Sequence, residues 1–297
     1  MSSRWLAIVN THAGGFRNCH LGPQFMERLA AEVATVVFTA RRDDATTIAS
    51  RACGYDGLVA VGGDGTVAEI LTGMNCESQF LAVIPAGTGN CLAAELGLGT
   101  LTAALDAIGQ GRMRRIDLMR AVLHHADGST THRCLASTAG MGYATEVALL
   151  AKRRFSQWRG HAYAVAAGFV RPRRREIRMI SDGHPDSTLQ LTGLLINNTG
   201  HVGSVRPFPA ARIDDGLLDS FVFQCGWLRQ CLHDLQMVTG IPVYGAPQPR
   251  RLKAVRLHFA APETVMLDGD PFEQVREMEL SCRPAALNCM QPGPCDC

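Results

Sequence analysis

The sequence of 297 residues lacks a long hydrophobic run, a CxxC pair and a marked charge of either sign. Its longest apolar run, residues 162–170, is far shorter than the ~20 residues that a membrane-spanning helix needs. The apolar part of the N-terminus is too short for a signal peptide, and residues 6–9 are interpreted as a first strand. We therefore expect a cytoplasmic protein. The formal net charge of +2 is too small to favour nucleic acid as a partner.

Eleven cysteines are scattered along the chain, and their odd number favours reduced thiols over a disulfide framework or a zinc ribbon. Cys295 and Cys297 lie close together, but in a terminal segment that we interpret as a frayed tail. GxxxxGK[ST], HExxH and GxSxG motifs are absent, so P-loop, zinc-protease and α/β-hydrolase interpretations have no support.

Short apolar strands alternate with helical segments over the first 115 residues. This alternation predicts an N-terminal doubly wound parallel sheet, residues 1–115. Beyond it the strands follow one another without helices, which predicts a β-rich, sandwich-like domain over residues 116–283. The predicted strands of this second domain are residues 116–123, 189–196, 217–223, 254–259, 264–267 and 278–282. A helical insertion is expected at about 145–170, and residues 284–297 are expected to pack back on the first domain.

Two polar turns follow the third and fourth predicted strands. The first is Gly62-Gly63-Asp64-Gly65-Thr66, and the second is Pro85-Ala86-Gly87-Thr88-Gly89-Asn90. Glycine lets the backbone approach a ligand, and the first amides of a helix attract anions, so such turns suit polyphosphate. The carboxylate of Asp64 repels phosphate unless a cation lies between them or the acid handles a proton. The turns therefore indicate phosphoryl transfer, and tight strand-to-helix packing is the alternative.

A relaxed dinucleotide fingerprint is also present, since Gly63, Gly65 and Ala68 have G-x-G-x-x-A spacing. That interpretation requires an acid at the end of the next strand to hold a ribose. The next strand ends in Ile84-Pro85-Ala86-Gly87, which contains no acid. A dinucleotide oxidoreductase is therefore not supported.

The two turns together resemble the catalytic domain of the diacylglycerol kinase family, which includes bacterial lipid kinases, sphingosine kinases and ceramide kinases. NAD kinases and phosphofructokinases share the first turn, but the GTGN of the second is typical of the lipid kinases. Residues 10–15, 214–219 and 267–270 also resemble family motifs in the family's order. The resemblance covers most of the chain. It implies an NAD kinase/diacylglycerol kinase-like fold and ATP-dependent phosphorylation of a lipid hydroxyl.

The resemblance also implies site residues, with ATP and Mg²⁺ as cofactors. The expected nucleotide contacts are Asn10, Thr11, His12, Ala13, Gly14, Thr39, Gly62, Gly63, Asp64, Gly65, Thr66, Thr88 and Asn90. The expected catalytic acids are Asp64, Asp268 and Asp270. A structural Mg²⁺ is expected at the carboxylate of Asp215 and the carbonyls of Arg212 and Leu217.

The identity of the general base stays open between two acids. Bacterial relatives use the Glu of an Asp-Gly-Glu element, which corresponds to Asp270, and sphingosine kinases use the acid that corresponds to Asp64. We favour Asp270, although aspartate is one methylene shorter. Thr11, Ala68 and Asp270 depart from the family pattern, so a nucleotide-binding regulator without catalysis is one alternative. An NAD or polyol kinase is the other.

Basic residues at 152–154, 159 and 171–175 flank an apolar helical segment at 163–170. Clustered cations favour an anionic membrane surface, so we predict peripheral membrane association, with a solvated basic face as the alternative. The expected partners are a lipid substrate, that surface and a second copy of the chain in a homodimer. No aromatic platform accompanies the arginines, so nucleic acid is not expected. His124 and His125 are interpreted as residues at a hairpin rather than as metal ligands.

Overall fold

The computed structural model describes residues 4–13, 21–110, 112–154, 169–202, 206, 208–230, 232–233 and 249–293. Of the sequence predictions, Gly14, Arg159, Cys295, Cys297 and most of the apolar segment at 163–170 lie outside these residues. No helix in the described ranges is long and apolar enough to cross a membrane.

The N-terminal part alternates strands and helices, as predicted. Its elements are β1 (Trp5–Val9), α1 (Pro23–Glu32), β2 (Thr35–Phe38), α2 (Asp44–Ser50), β3 (Gly57–Gly62), α3 (Asp64–Gly73), β4 (Phe80–Pro85), α4 (Cys91–Glu95) and α5 (Leu101–Gln110). Strands β4, β3, β1 and β2 are neighbours in that order, and all three pairs are parallel. Every residue of β1 and β3 is buried, which is typical of central strands covered by helices on both faces.

The C-terminal part is dominated by antiparallel strands. Its elements are β5 (Met113–His125), β6 (Thr130–Leu135), β7 (Thr138–Gly142), α6 (Tyr143–Arg154), β8 (Arg175–Ser181), β9 (Ser187–Leu191), β10 (Gly193–Asn197), β11 (Leu218–Phe223), β12 (Arg250–Leu252), β13 (Ala254–Leu267) and β14 (Asp270–Met290). The predicted mixed α/β fold with a strand-rich C-terminal region is therefore confirmed.

Three predicted boundaries differ from the structure. Residues 189–196 form two strands, because the Thr192 amide leaves the ladder and donates to the carbonyl of Phe223, at 2.7 Å. Residues 254–267 form one strand, because β13 continues past a register shift between His258 and Glu263. The helical insertion begins at Tyr143 rather than 145, and its described part ends at Arg154.

The parallel and antiparallel parts join in a single sheet of 14 strands. Strand β14 pairs with β13 and β5 along most of its length, and near its end Asn288 and Cys289 pair in parallel with Phe80 and Leu81 of β4. The division into domains at residues 115 and 283 stays a prediction. This topology brings the turn between β13 and β14 to the same region as the ends of β3 and β4.

Candidate active site

The two glycine turns are in direct contact. Each follows the end of a parallel strand, and an ideal Cβ on Gly87 would lie 2.3 Å from the Cα of Gly63. The amide of Ala86 donates to the carbonyl of Gly62 at 2.8 Å, which holds the turns side by side. No side chain fits between them, so both glycines are required sterically.

Side-chain amides fix the neighbouring loops. Asn10, which follows β1, donates from Nδ2 to Thr66 Oγ1 at 2.9 Å and accepts the amide of His12 at 2.9 Å. Asn90 has a left-handed backbone, with φ of 54°, and bonds both the amide and the carbonyl of Gly87. Asn10, His12, Thr66 and Asn90 thus organise one rim, as the sequence predicts for parallel strand ends.

Two other predicted contacts differ in accessibility. Thr39 is buried, and its amide donates to the carbonyl of Val9 at 3.0 Å, so its role in the fold is to hold β2 beside β1. Thr88 is exposed at the tip of the second turn.

Thr11 and Ala13 lie in the loop after Asn10, with the Ala13 amide 3.2 Å from the Asn10 carbonyl.

Helix α3 begins at Asp64, inside the first glycine turn. The Oδ1 atom of Asp64 accepts the backbone amide of Cys91, at 2.7 Å, so this acid ties the start of α3 to the start of α4. Burial raises the pKa of Asp64, and the hydrogen bond from Cys91 opposes that rise. The carboxylate of Asp64 therefore has a structural role, because it connects the first glycine turn to the helix that follows the second.

Asp268 lies in the turn between β13 and β14 and is 5% exposed. Its carboxylate accepts three backbone amides, from Ala136 at 3.0 Å, Ser137 at 3.2 Å and Thr138 at 2.7 Å. Burial is the main cause that raises the pKa of Asp268 to about 7, and the charge of Asp64 raises it further against these amides.

Asp270 begins β14 and faces the first glycine turn. An ideal Cβ on Gly65 would lie 3.0 Å from its Oδ2 atom. Among the described residues its carboxylate has no hydrogen-bond or ion-pair partner, unlike those of Asp64 and Asp268. The topology thus brings the three predicted acids to one place and leaves only Asp270 without a partner there.

A pocket opens beside Asp270, between α3 and the start of β14. Its lining residues are Arg42, Asp43, Gly65, Ala68, Glu69, Arg133, Leu135, Leu267, Asp270 and Phe272. Both arginines lie over the ring of Phe272, at 5.4 and 5.5 Å from its centroid, and Arg133 also pairs with Asp43 at 2.8 Å. Sequence reasoning missed Arg42, Arg133 and Phe272, because they come from separate elements and belong to no motif.

The predicted structural metal position has a different arrangement. The carboxylate of Asp215 forms an ion pair with Arg251 and accepts the amide of Leu217, at 3.1 Å. Arg212 pairs with Asp214 at 3.3 Å. The buried Asp117 accepts the amide of Gly216 at 2.6 Å, which also shapes this turn. A cation at Asp215 has to share its carboxylate with Arg251.

The predicted basic surface is only partly described. Arg175 forms ion pairs with Glu146 and Glu263. Arg171 lies 3.7 Å from the ring centroid of Trp227, beside the exposed side chains of Phe169 and Leu228. Cations and exposed apolar side chains therefore occur in the same segments, but Arg175 is not free to contact a membrane.

Comparison with known proteins agrees with this geometry. Residues 4–121 match the diacylglycerol kinase catalytic domain. The chain is 28% identical to a diacylglycerol kinase of Mycobacterium tuberculosis (strain CDC 1551 / Oshkosh), over 98% of this chain and 93% of that protein. It is 29% identical to a protein of Stenotrophomonas maltophilia (strain K279a) named "Probable lipid kinase YegS-like", over 82% and 81% of the two chains.

The fold is shared with a solved structure of a diacylglycerol kinase from Bacillus anthracis str. Sterne, with a TM-score of 0.75 at 22% identity and 98% coverage of each chain. The matched domain contains both glycine turns, and the relatives span the described acids on β13 and β14 as well. The chain is therefore similar to the diacylglycerol kinases and related lipid kinases, through a matched catalytic domain at residues 4–121 and through relatives that span most of its length.

Proposed function

We propose that this protein transfers the γ-phosphate of ATP to the hydroxyl of a lipid, with Asp270 as the general base. The observation that carries the proposal is the position of Asp270 beside Gly65, with no bonding partner among the described residues. A base must have a free oxygen within reach of the hydroxyl proton. Asp64 and Asp268 have oxygens already bonded to backbone amides.

The glycine turns supply the phosphate side of the proposed site. The contact between Gly63 and Gly87 leaves backbone without side chains at two adjacent strand ends, and α3 presents its N-terminus there. Thr66 and Thr88 add hydroxyl groups, and Asn10 orients the first of them. In the proposed reaction Asp270 accepts the hydroxyl proton, the lipid oxygen bonds the γ-phosphorus, and ADP leaves with the electrons of the broken P–O bond.

The donor set suits a magnesium ion, because carboxylates and phosphate oxygens are the ligands that Mg²⁺ prefers. Asp64 and Asp268 are the residues that would hold it, directly or through water. When bound, Mg²⁺ neutralises phosphate charge during phosphoryl transfer. Burial raises the pKa of Asp268 to about 7, and a cation bound beside it would favour the ionised carboxylate.

The acceptor is proposed to enter the pocket beside Asp270, whose walls combine Leu135, Leu267 and Phe272 with charged groups. A diacylglycerol is the first acceptor to test, because it is named in the relatives from Mycobacterium tuberculosis. A sphingoid base is the second, since a Schizosaccharomyces pombe protein named for that substrate is 32% identical over 40% of this chain. Ceramide is the third.

The proposal is tested with radiolabelled ATP, Mg²⁺ and a total lipid extract, followed by identification of the labelled product. We expect Asp270→Asn to lower turnover by about 100-fold or more, since general-base catalysis contributes ~10²–10⁴-fold. Asp186→Asn, a turn aspartate paired with Arg178, is the control and retains activity. Near-wild-type turnover by Asp270→Asn would sink the base assignment. ATP binding without any labelled lipid favours a regulator, and a labelled NAD or polyol favours the other kinases.

Three further properties belong to the same proposal. Peripheral membrane association is supported by Arg171, Phe169 and Leu228, and is tested by co-sedimentation with vesicles whose anionic lipid content is varied. Binding that does not depend on the anionic lipid content would contradict this association.

A structural Mg²⁺ at Asp215, Arg212 and Leu217 is tested through the effect of Mg²⁺ on the melting temperature of the protein. A homodimer is tested by light scattering, where a monomer mass contradicts it.

A further inference from the structure

Histidines and glutamates line up on the outer face of the antiparallel part of the sheet. His258 on β13 is opposite Glu277 on β14, and Glu277 is opposite His124 on β5. Two residues further along β14, Glu279 is opposite Arg256. Directly opposed residues share a face of the sheet. The alternate residues Leu123, Leu257 and Met278 are buried, so this row faces away from the core.

The side chains of the row converge. The ligand atoms of His124, Glu277 and Glu279 all lie within 4.8 Å of one another. His124 Nε2 is 3.7 Å from Glu279 Oε1, and His258 Nδ1 is 3.0 Å from Glu277 Oε2. The His124 and Glu279 side chains are 43% and 35% exposed, which leaves the cluster accessible from solvent.

The two carboxylates already converge on a cation. The guanidinium of Arg256 has Nε 3.4 Å from Glu277 Oε1 and Nη2 2.9 Å from Glu279 Oε1. The Arg256 side chain is 50% exposed, so it has room to turn into solvent when another cation takes its place. Exposed ion pairs of this kind are weak, so replacing Arg256 by another cation costs little free energy.

We propose that His124, Glu277 and Glu279 form a binding site for a divalent transition metal of the zinc class. One imidazole nitrogen and two carboxylate oxygens are common zinc ligands, and the nitrogen disfavours Mg²⁺, which prefers an all-oxygen shell. Ligand atoms ~2.1 Å from zinc at a tetrahedral angle are about 3.4 Å apart, so side-chain rotations have to shorten separations that now reach 4.8 Å by up to about 1.4 Å. His258 Nδ1 lies 3.0 Å from Glu277 Oε2 and would hold Glu277 in position, as residues behind metal ligands do.

The metal would connect β5 to β14 at a defined point. The register between these strands shifts between Val275 and Glu277, so the ladder is interrupted directly before the site. A bound ion would therefore add a link beside one of the two interruptions in the pairing of these strands. The sequence alone does not reveal the site, because His124 is separated from its two partners by more than 150 residues.

The test is a zinc chloride titration of the full chain, freed of metal by a chelator, against a chromogenic competitor. Wild type is expected to bind one equivalent more than His124→Gln, or to bind it at least about tenfold more tightly. His184→Gln, on the exposed turn between β8 and β9, is the matched control and keeps that equivalent. Arg256→Gln is expected to bind zinc more tightly than wild type, because it removes the competing cation.

Exposed Cys53 is a competing zinc ligand, so Cys53→Ser is titrated in parallel and has to keep the equivalent. If His124→Gln does not fold, Glu279→Gln takes its place with the same expected loss. Zinc should also raise the melting temperature of wild type but not of His124→Gln. Equal stoichiometry and affinity in wild type, His124→Gln and Glu279→Gln would overturn the proposal. Loss of the additional zinc equivalent in the Cys53→Ser variant would also overturn the proposal.

Discussion

The contact between the two glycine turns gives a prediction whose size follows from the coordinates. Gly87→Ala adds a Cβ 2.3 Å from the Cα of Gly63 and 2.8 Å from Oδ1 of Asn90. Ordinary contacts begin at 3.4 Å, so the turns have to separate by about 1 Å. Because the Gly63 contact is with backbone, side-chain rotation alone cannot relieve it.

The separation has two expected effects. Overpacking of this kind costs ~1–3 kcal/mol, which should lower the free energy of unfolding by that amount. It also moves the amides of the two turns apart, and a hydrogen bond to a charged group contributes ~1.5–3 kcal/mol. Loss of one such bond to a phosphate weakens ATP binding by about tenfold or more.

Urea denaturation and calorimetric titration with ATP measure these two effects separately. Gly54→Ala is the control, because its Cβ meets no atom within 4 Å. It should change neither quantity by more than ~0.5 kcal/mol. A folded Gly87→Ala protein that binds ATP as tightly as wild type would refute the assignment of the turns as a phosphate cradle.

Three other substitutions probe the acids. Gly65→Ala places a Cβ 3.0 Å from Asp270 Oδ2, so we expect the carboxylate to be displaced. Phosphoryl transfer should become up to ~100-fold slower, while the free energy of unfolding stays near that of wild type. Unchanged turnover would contradict this expectation. The pKa of Asp268 is raised from 3.8 to about 7 in the fold, so its contribution to stability is largest below pH 3.8 and is lost as pH rises towards 7; Asp268→Asn should flatten that profile in urea denaturation. Arg251→Gln releases Asp215, so Mg²⁺ should raise its melting temperature more than that of wild type, and an equal rise argues against a cation there.

Local rules were sufficient for the parallel part of the fold. The apolar strands and the helices that follow them have the period and length that the sequence predicts, and parallel strand ends bring Asn10 and the glycine turns together. The start of α3 at Asp64 is not evident from the sequence, since Gly65 is a poor helix former.

Long-range pairing limited the prediction elsewhere. The bonds of Asp268 to Ala136 and Thr138, and the position of Asp270 against Gly65, join segments more than 100 residues apart. No periodicity in the sequence reports such contacts. The motif order placed these acids in one site only through resemblance to the family, and the ion pair between Asp215 and Arg251 was not foreseen.

Strand β14 carries a mechanical consequence. It begins at Asp270 and ends beside β4, which leads into the second glycine turn, so one strand connects the proposed base to the phosphate side. A change in the distance between these two sides would then have to bend the sheet. We expect such bending to start at the register shift between Arg283 and Leu287, where Ala285 has a φ of 47°. Faster amide hydrogen exchange at this register shift than in the flanking residue pairs would show that the strand bends there.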